Sequence, residues 1–251
     1  MVISIIGVDC AAQSNNVGLA RGVISDGYLV VDKVLKAKKN QSVAELIVGL
    51  MDLNSITLLA LDSPLGWPAS LGKELVTHLA GECLASEPNK LFRRHTDHFI
   101  KQKVGKQSLD VGADRIARTA HAALNLINEV EELTGSTVPL AWKTPLENTM
   151  SAIEVYPAVT LKLNDLRYQG YKKKENIDQR REIVTGLAQL ISLNIDCSEL
   201  LKDDDVLDAV ICTLAGYHFI NDKCIYPTNK ELAIKEGWIW VEDKKLTSLK
   251  V

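Results

Sequence analysis

Short apolar runs separated by polar breaks dominate the first quarter of the chain, and two of these runs end in an aspartate. The segments Ile3–Asp9 and 57–62 are almost continuously apolar and are followed by small residues, Pro or Gly, which predicts two fully buried strands. Between them, residues 17–24 and 28–35 predict two further strands, and Asp26-Gly27 predicts the tight hairpin that joins these two. We therefore expect the first part of the chain to form much of a sheet.

A helix is predicted between the third and the fourth of these strands. Residues 42–53 carry apolar side chains at helical spacing, and Ser42 is a suitable N-cap. The order strand, strand, strand, helix, strand predicts an antiparallel meander that crosses over into a parallel neighbour. The expected fold class is therefore α/β, with a mixed sheet flanked by helices.

The rest of the chain predicts more helices, a long insertion and two short strands. Residues 63–112 are irregular, with a helix expected near 72–85, and a connection of this length is often functional. Further helices are predicted at 113–133, 178–193 and 203–220, and short strands at 152–155 and 238–241. Since no repeat, low-complexity tract or linker divides the chain, we expect a single domain over 1–251 that contains the insertion at about 63–112.

Carboxylates stand at the ends of the predicted strands and on the last long helix. Asp9 and Asp62 end two buried strands, and open α/β sheets bind ligands at the carboxyl ends of their strands. Asp205 and Asp208 are three residues apart on the predicted helix, so both can face the same side. Glu154 ends a third apolar strand and is a further candidate catalytic acid.

These carboxylates together predict a bound cation, because acidic side chains drawn into a partly dry site repel one another. Hard oxygen ligands select Mg²⁺ or Mn²⁺ as the cofactor. Two such ions about 4 Å apart can bind the attacking and leaving oxygens of a phosphodiester displacement. Simpler roles stay open for single residues: Asp9 or Asp62 as a turn former or helix cap, and Glu154 as the partner of a basic side chain.

Composition and charge narrow the class of protein. Of the 251 residues, 46% are hydrophobic and 24% charged, as in soluble globular proteins, and the net charge of −3 offers no basic excess for nucleic acid. The basic run 172–174 is expected to be a solvated charge run. The five cysteines lack C-x-x-C spacing, which disfavours a zinc site and favours a reducing compartment, the cytoplasm. The N-terminus lacks the features of a signal peptide, and no apolar run approaches the roughly 18 residues of a membrane span, so no membrane partner is expected.

Several motifs, spread over nearly the whole chain, resemble a known family. They are GVDCA at 7–11, LALDSPLGWP at 59–68, LFRRHTD at 91–97, VGADRIARTA at 111–120, EVYP at 154–157, DDVLDAVICTLAG at 204–216 and EGWIWV at 236–241. These stretches are similar to domain-of-unknown-function family 429, which is described as predicted nucleases of ribonuclease H fold. More widely, an Asp after the first strand, another after the fourth and a late Asp-x-x-Asp helix resemble the ribonuclease H-like superfamily, including Holliday-junction resolvases.

The resemblance implies a ribonuclease H-like sheet, nuclease activity that depends on Mg²⁺ or Mn²⁺, and nucleic acid as the partner. The residues that match the superfamily's metal-binding carboxylates are Asp9, Asp62, Asp205 and Asp208. The ribonuclease H group places one carboxylate on its first helix, where Glu45 or Asp52 would have to serve here. The resolvase pattern therefore fits the chain better.

Basic residues cluster in and just after the insertion. The segment 89–97 brings Arg93, Arg94 and His95 together. Arginine can bind phosphate through two hydrogen bonds, and histidine can transfer a proton near neutral pH. Arg115 and Arg118 are three residues apart and can contact the same anion. We predict that the four arginines bind substrate and that His95 is catalytic; the alternatives are ion pairs or a solvated surface for the arginines and a structural hydrogen bond for His95.

Three functions stay open at this point. The leading hypothesis is a metal-dependent nuclease. The second is phosphotransfer or ATP binding of the actin-like kinase type on the same core, in which the segment after Asp9 would act as a phosphate hairpin, although Ser-Pro-Leu-Gly after Asp62 disfavours a phosphate loop there. The third is a non-catalytic binding protein with a ribonuclease H-like core, which the net charge of −3 fits.

Overall fold

The computed structural model describes residues 2–52, 54–112 and 114–247. Its strands are β1 (Ile3–Asp9), β2 (Gly18–Ser25), β3 (Tyr28–Lys36), β4 (Ile56–Asp62), β5 (Met150–Glu154) and β6 (Ser192–Leu193). They form a mixed sheet in the order β5-β4-β1-β2-β3-β6. β1, β2 and β3 form an antiparallel meander, whereas β4 is parallel to β1 and β5 is parallel to β4. The predicted mixed sheet, with its meander and its parallel crossover, is therefore confirmed.

Helices cover both faces of this sheet. They are α1 (Val43–Leu50), α2 (Ala69–Leu75), α3 (Pro88–Phe92), α4 (His95–Val104), α5 (Asp114–Thr134), α6 (Pro157–Leu163), α7 (Ile177–Leu190), α8 (Ser198–Lys202), α9 (Asp204–Ile220), α10 (Lys230–Glu236) and α11 (Lys244–Thr247). Because side chains alternate along a strand, Ile5 packs in the cluster that contains α9, whereas Ile6 and Val8 pack with α1 and α5. The predicted flanking helices are thus confirmed as two layers around the sheet.

Two glycines allow α9 to lie directly on the sheet. A Cβ atom at Gly7 would lie 2.0 Å from the backbone oxygen of Ala209, and one at Gly18 would lie 2.1 Å from that of Asp205. Any side chain at either position would push the helix away from the strands. The close contact matters for function because it brings the first turns of α9 beside the carboxyl end of β1.

The register of the central strands decides which strand-end acids meet. Asp9 of β1 lies directly opposite Asp62 of β4 in the parallel ladder, whereas Glu154 of β5 lies opposite Leu61. Paired residues project from the same face of a sheet and successive residues from opposite faces. Asp9 and Asp62 therefore share one face, and the offset of one residue turns Glu154 to the other.

Several predicted elements have different bounds in the structure. The helix expected near 72–85 is present but shorter and shifted: α2 begins at Ala69 and ends at Leu75. Gly81 then adopts a φ of +93°, and Glu74 accepts hydrogen bonds from the backbone of Ala85 and Ser86, so the chain folds back instead of continuing as a helix.

The other differences are smaller. The helix predicted at 178–193 ends at Leu190, because residues 192–193 pair with β3 as β6. The strand predicted at 238–241 is reduced to one bridge between Ile239 and Glu154. The predicted bounds at Leu53 and Ala113 lie outside the described residues. No helix within the described ranges is long and apolar enough to cross a membrane.

Candidate metal centre

Three aspartates meet at the carboxyl end of the central strands. Asp9, Asp62 and Asp208 each place one carboxylate oxygen so that these atoms lie within 4.8 Å of one another. The strand register brings Asp9 and Asp62 together, and the close packing of α9 on Gly7 and Gly18 adds Asp208. We call these three residues the aspartate triad.

Burial and mutual repulsion make the ionised triad unfavourable. Burial is the main cause that raises the pKa of Asp9 well above its usual value, and the charges of Asp208 and Asp62 add to it. Burial likewise raises the pKa of Asp62 to about 7, against the attraction of Lys172. Within the described residues, neither Asp9 nor Asp62 accepts a hydrogen bond at its carboxylate. The triad is therefore a set of oxygen ligands that a cation would stabilise.

Asp208 is the fully buried member, and two side chains from one loop contact it. The hydroxyl of Tyr171 donates a hydrogen bond to Oδ1 at 2.7 Å, and Nζ of Lys172 lies 2.5 Å from Oδ2. Burial opposes the charge of Lys172, but the attraction of the triad outweighs it and raises the pKa of the lysine. The run 172–174 is exposed, as predicted, but Lys172 in addition forms an ion pair with a buried acid, which the sequence did not indicate.

The triad lies in a cavity of about 550 Å³. Other polar groups of its wall are Ser63, Lys106, Ser108, Tyr156 and Gln169. The volume is in the range of small-molecule pockets, which are commonly about 300–1,000 Å³. Substrate can therefore approach the carboxylates from this side.

Asp205 does not join the triad. It pairs instead with Nζ of Lys36 at the end of β3, and Asp203 lies 3.2 Å from the same nitrogen. Asp203 also caps α9 by accepting hydrogen bonds from the backbone of Asp205 and Val206. Residues three apart on a helix differ in direction and by about 4.5 Å along its axis, and here that difference separates Asp205 from Asp208.

Glu154 belongs to a second buried group, in which two acids, Glu154 and Asp97, surround the side chain of Arg94. We call these three residues the Arg94 network. The guanidinium of Arg94 binds both oxygens of Glu154, at 2.7 and 2.8 Å, and both oxygens of Asp97, each at 3.1 Å. Glu154 also accepts a hydrogen bond from the backbone of Leu65. The alternative of a basic partner for Glu154 is therefore the arrangement that the structure shows.

Arg94, predicted to bind substrate, is only 1% exposed, and its guanidinium is occupied by these two acids. It connects the insertion, through α4, to the end of β5. Glu236 reinforces the same connection, because its two oxygens accept hydrogen bonds from the backbone of Ala69 and His95, at the beginnings of α2 and α4. The role of Arg94 in the structure is thus to hold the insertion against the sheet.

The remaining predicted residues lie farther from the carboxylates. The ring of His95 stacks on Trp238 with centroids 6.0 Å apart, and it is not part of the cavity wall. Arg93 pairs with Asp110 and Asn89 at the surface of the insertion. Arg115 and Arg118 are exposed on α5, next to Ile116 and Thr119 of the cavity wall. Neither Arg115 nor Arg118 belongs to the cavity wall, which among the predicted arginines includes only Arg94.

Tyr171 and Lys172 were not among the predicted site residues. Their segment lies between two helices and has no apolar periodicity that would place it against the sheet. The only sequence signal is the pairing of an aromatic residue with a lysine directly after Gly170, whose φ is +81°. That signal is too common to identify a site without the tertiary structure.

Comparison with known proteins identifies a family. The model of the family "Protein of unknown function (DUF429)" matches residues 7–232. Neither the curated proteins nor the solved structures contain a match to the chain.

Proposed function

The chain belongs to the DUF429 family, whose matched model is named as a protein of unknown function, and we propose from the geometry of its site that it is a metal-dependent nuclease that hydrolyses phosphodiesters. The observation that carries the proposal is the aspartate triad. Asp9, Asp62 and Asp208 converge in one cavity, and within the described residues Lys172 is the single cation in contact with them.

The donor set fits Mg²⁺ or Mn²⁺. All three ligands are carboxylate oxygens, which are the hard donors that these ions prefer. Burial disfavours the ionised acids, and a divalent ion would relieve that cost more fully than one ammonium group can. A bound ion would supply a Lewis acid that stabilises the negative charge that develops on a phosphodiester during hydrolysis.

The chain's own residues would bind and orient the substrate. Lys106 and Lys172 are cations of the cavity wall and can contact a phosphate, while Tyr156 offers an aromatic side chain beside the acids. Arg115 and Arg118 are exposed on α5, the helix whose Ile116 and Thr119 line the cavity, and could contact a longer polyanion. A few cations near one cavity do not require a positive net charge. A net charge of −3 is therefore compatible with nucleic acid as the proposed partner.

We further propose that the sheet is of the ribonuclease H-like type. Two observations support this: the antiparallel meander followed by parallel neighbours, and acids at the ends of β1 and β4 that a late helix completes. All five cysteines are free thiols, which supports the proposed cytoplasmic location.

Asp208→Asn compared with Asp205→Asn tests the proposal. Purified protein would be assayed with Mn²⁺ or Mg²⁺ on single-stranded, duplex, hybrid and branched nucleic acids. We expect cleavage by the unaltered protein and a loss of at least about 100-fold in Asp208→Asn, because an amide is a poor ligand for the ion.

Asp205→Asn is the matched control, since it makes the same change three residues earlier on the same helix but outside the triad. It should retain most of the activity. Absence of cleavage of all four substrates, together with absence of ion binding, would rule out the proposal. Equal losses in the two variants would show that the triad is not the reactive site.

A further inference from the structure

Lys172 lies beside the aspartate triad, and the surrounding structure fixes the position of its backbone there. Among the described residues, it alone forms an ion pair with the aspartate triad, through Nζ and Oδ2 of Asp208. The neighbouring Tyr171 is 2% exposed and donates its hydroxyl hydrogen to the other oxygen of Asp208. Adjacent residues of one loop therefore bind the two oxygens of one buried carboxylate.

A buried arginine fixes the backbone on both sides of Lys172. Nη1 of Arg180 donates hydrogen bonds to the carbonyl oxygens of Tyr171, at 2.6 Å, and Lys173, at 2.9 Å. Nη2 of Arg180 donates to that of Lys174 at 3.2 Å, and Nε is anchored on the carbonyl of Leu201. Arg180 is itself 2% exposed, so the loop is held at a defined place relative to α7 and α8.

The side chain of Lys172, in contrast, is free to change its direction. It is 55% exposed, although its ammonium group contacts a carboxylate that is fully buried. Lysine carries its charge on a flexible four-carbon stem, and the cavity lies directly beside it. The ammonium group can therefore leave Asp208 without any movement of the clamped backbone.

We propose that Lys172 is an exchangeable counter-ion of the aspartate triad. Its ammonium group offsets part of the triad's negative charge when no divalent ion is bound, gives up this contact when an ion binds, and then contacts the phosphate of the substrate in the cavity. This inference rests on the proposed metal-dependent function. It adds a substrate-binding role to a residue that the structure shows in an ion pair with Asp208.

The physical reason is competition for the same charge. An ammonium group and a divalent ion are both stabilised by the three carboxylates, and they repel each other at short distance. The ion carries twice the charge and can bind several oxygens at once, so it displaces the lysine. A phosphate that enters the cavity then offers the released ammonium a new anionic partner.

Lys172→Met tests the exchange directly, because methionine keeps much of the length of the side chain without its charge. Isothermal titration calorimetry with Mn²⁺ alone, at pH 8, would measure the affinity of the triad for the ion. We expect Lys172→Met to bind Mn²⁺ at least about tenfold more tightly than the unaltered protein, since the competing ammonium group has been removed. In the Mn²⁺-loaded proteins, we expect the same variant to bind thymidine 5′-monophosphate about tenfold more weakly.

Lys174→Met is the matched control. It removes the same charge from the same loop, and its side chain is exposed without a contact to the triad. It should alter neither affinity, and thermal unfolding would confirm that both variants fold. Unchanged or weaker Mn²⁺ binding by Lys172→Met would overturn the exchange, and unchanged or absent nucleotide binding would overturn the contact with phosphate. Failure of the unaltered protein to bind Mn²⁺ would overturn the proposed function and this inference together, so the two kinds of failure are distinguishable.

Discussion

Two groups of buried or half-buried acids line the same cavity, and they differ in the number of hydrogen-bond donors that contact them. In the Arg94 network, every carboxylate oxygen of Asp97 and Glu154 accepts a hydrogen bond, and one guanidinium serves both acids. In the aspartate triad, Asp9 and Asp62 accept none from the described residues, and one partly exposed lysine faces three carboxylates.

This difference in hydrogen bonding distinguishes the acids of the Arg94 network, which stabilise the fold, from the acids of the aspartate triad, which can bind a ligand. Burial raises the pKa of Glu154 in spite of Arg94, so burial alone does not distinguish the two groups. What distinguishes them is the supply of hydrogen-bond donors. A buried carboxylate whose oxygens all accept hydrogen bonds has no oxygen left for a cation. A buried carboxylate without donors retains the capacity to bind one.

Removal of the guanidinium is expected to have the largest effect on stability. Arg94→Met would leave Asp97 and Glu154 buried without their counter-ion, and breaking a buried pair in this way typically costs about 3–5 kcal/mol. Denaturant unfolding, monitored by circular dichroism, would measure the loss. The matched control is Arg93→Met, whose partly exposed pair with Asp110 should contribute less than about 1 kcal/mol. Similar losses in both variants would contradict the structural role of the network.

Addition of Mn²⁺ should have the next largest effect, because it supplies the counter-charge that the triad lacks. At an ion concentration of about 100 times Kd, binding to the folded state alone raises the free energy of unfolding by about 2.7 kcal/mol. Thermal unfolding with and without Mn²⁺ would measure this. Arg93→Met and Asp205→Asn should be stabilised to the same extent as the unaltered protein, and Asp208→Asn should not. An equal rise in all of these proteins would mean that the ion binds elsewhere.

Asp62→Asn should stabilise the ion-free protein, in contrast to most substitutions of buried residues. Burial holds the pKa of Asp62 at about 7 in the folded protein, above the value of 3.8 for the free side chain. Between about pH 4 and pH 7 the folded state keeps a proton that the unfolded chain has released, so this residue lowers the free energy of unfolding as the pH rises. We therefore expect the free energy of unfolding of Asp62→Asn to exceed that of the unaltered protein by about 1 kcal/mol or more above pH 7.

The pH profile provides the internal control for this prediction. At pH 4 the variant and the unaltered protein should have nearly equal stability, and the difference should grow up to about pH 7. Guanidinium-induced unfolding at several pH values without divalent ions would show it. A loss of stability in Asp62→Asn at pH 8 would indicate that the carboxylate has a structural partner like those of the Arg94 network.

Glu236→Gln should have the smallest of these effects. Its carboxylate accepts hydrogen bonds at the beginnings of α2 and α4, where a negative charge is favourable. The amide keeps one acceptor and loses the charge, so we expect a loss of about 1 kcal/mol in the free energy of unfolding. Glu231→Gln on the exposed side of the same helix is the control and should be nearly neutral. A larger loss than in Arg94→Met would move the centre of the connection from Arg94 to Glu236.

Much of the candidate site could be predicted because its signals are local. Asp9 and Asp62 end apolar runs whose length and closing residues already define buried strands. Asp208 lies in a strongly apolar helical segment, where an acid is rarely buried unless it has a partner or a function. The mixed order of the sheet followed from the hairpin signal and the helix between the third and fourth strands.

The differences between expectation and structure arose from contacts that spacing along the chain does not reveal. Asp205 was grouped with Asp208 by helical spacing, but Lys36 of β3 binds it on another side of α9. Arg94 was predicted to bind phosphate, but its partner in the structure is Glu154 at the end of β5. The helix expected near 72–85 ended early because Glu74 binds the backbone beyond Gly81. None of these partners could be chosen from spacing alone.

The sequence by itself thus determined the five longer strands, the long helices and the positions of the acids along them, because apolar periodicity is a property of short segments. The tertiary structure decided which acids share a site. A strand register offset by one residue turns Glu154 away from Asp62, two glycines admit Asp208 to the triad, and a loop clamped by Arg180 brings Lys172 onto it. The physical reason is that electrostatic partners are set by distance and burial, and both of these arise only when segments far apart in the chain pack together.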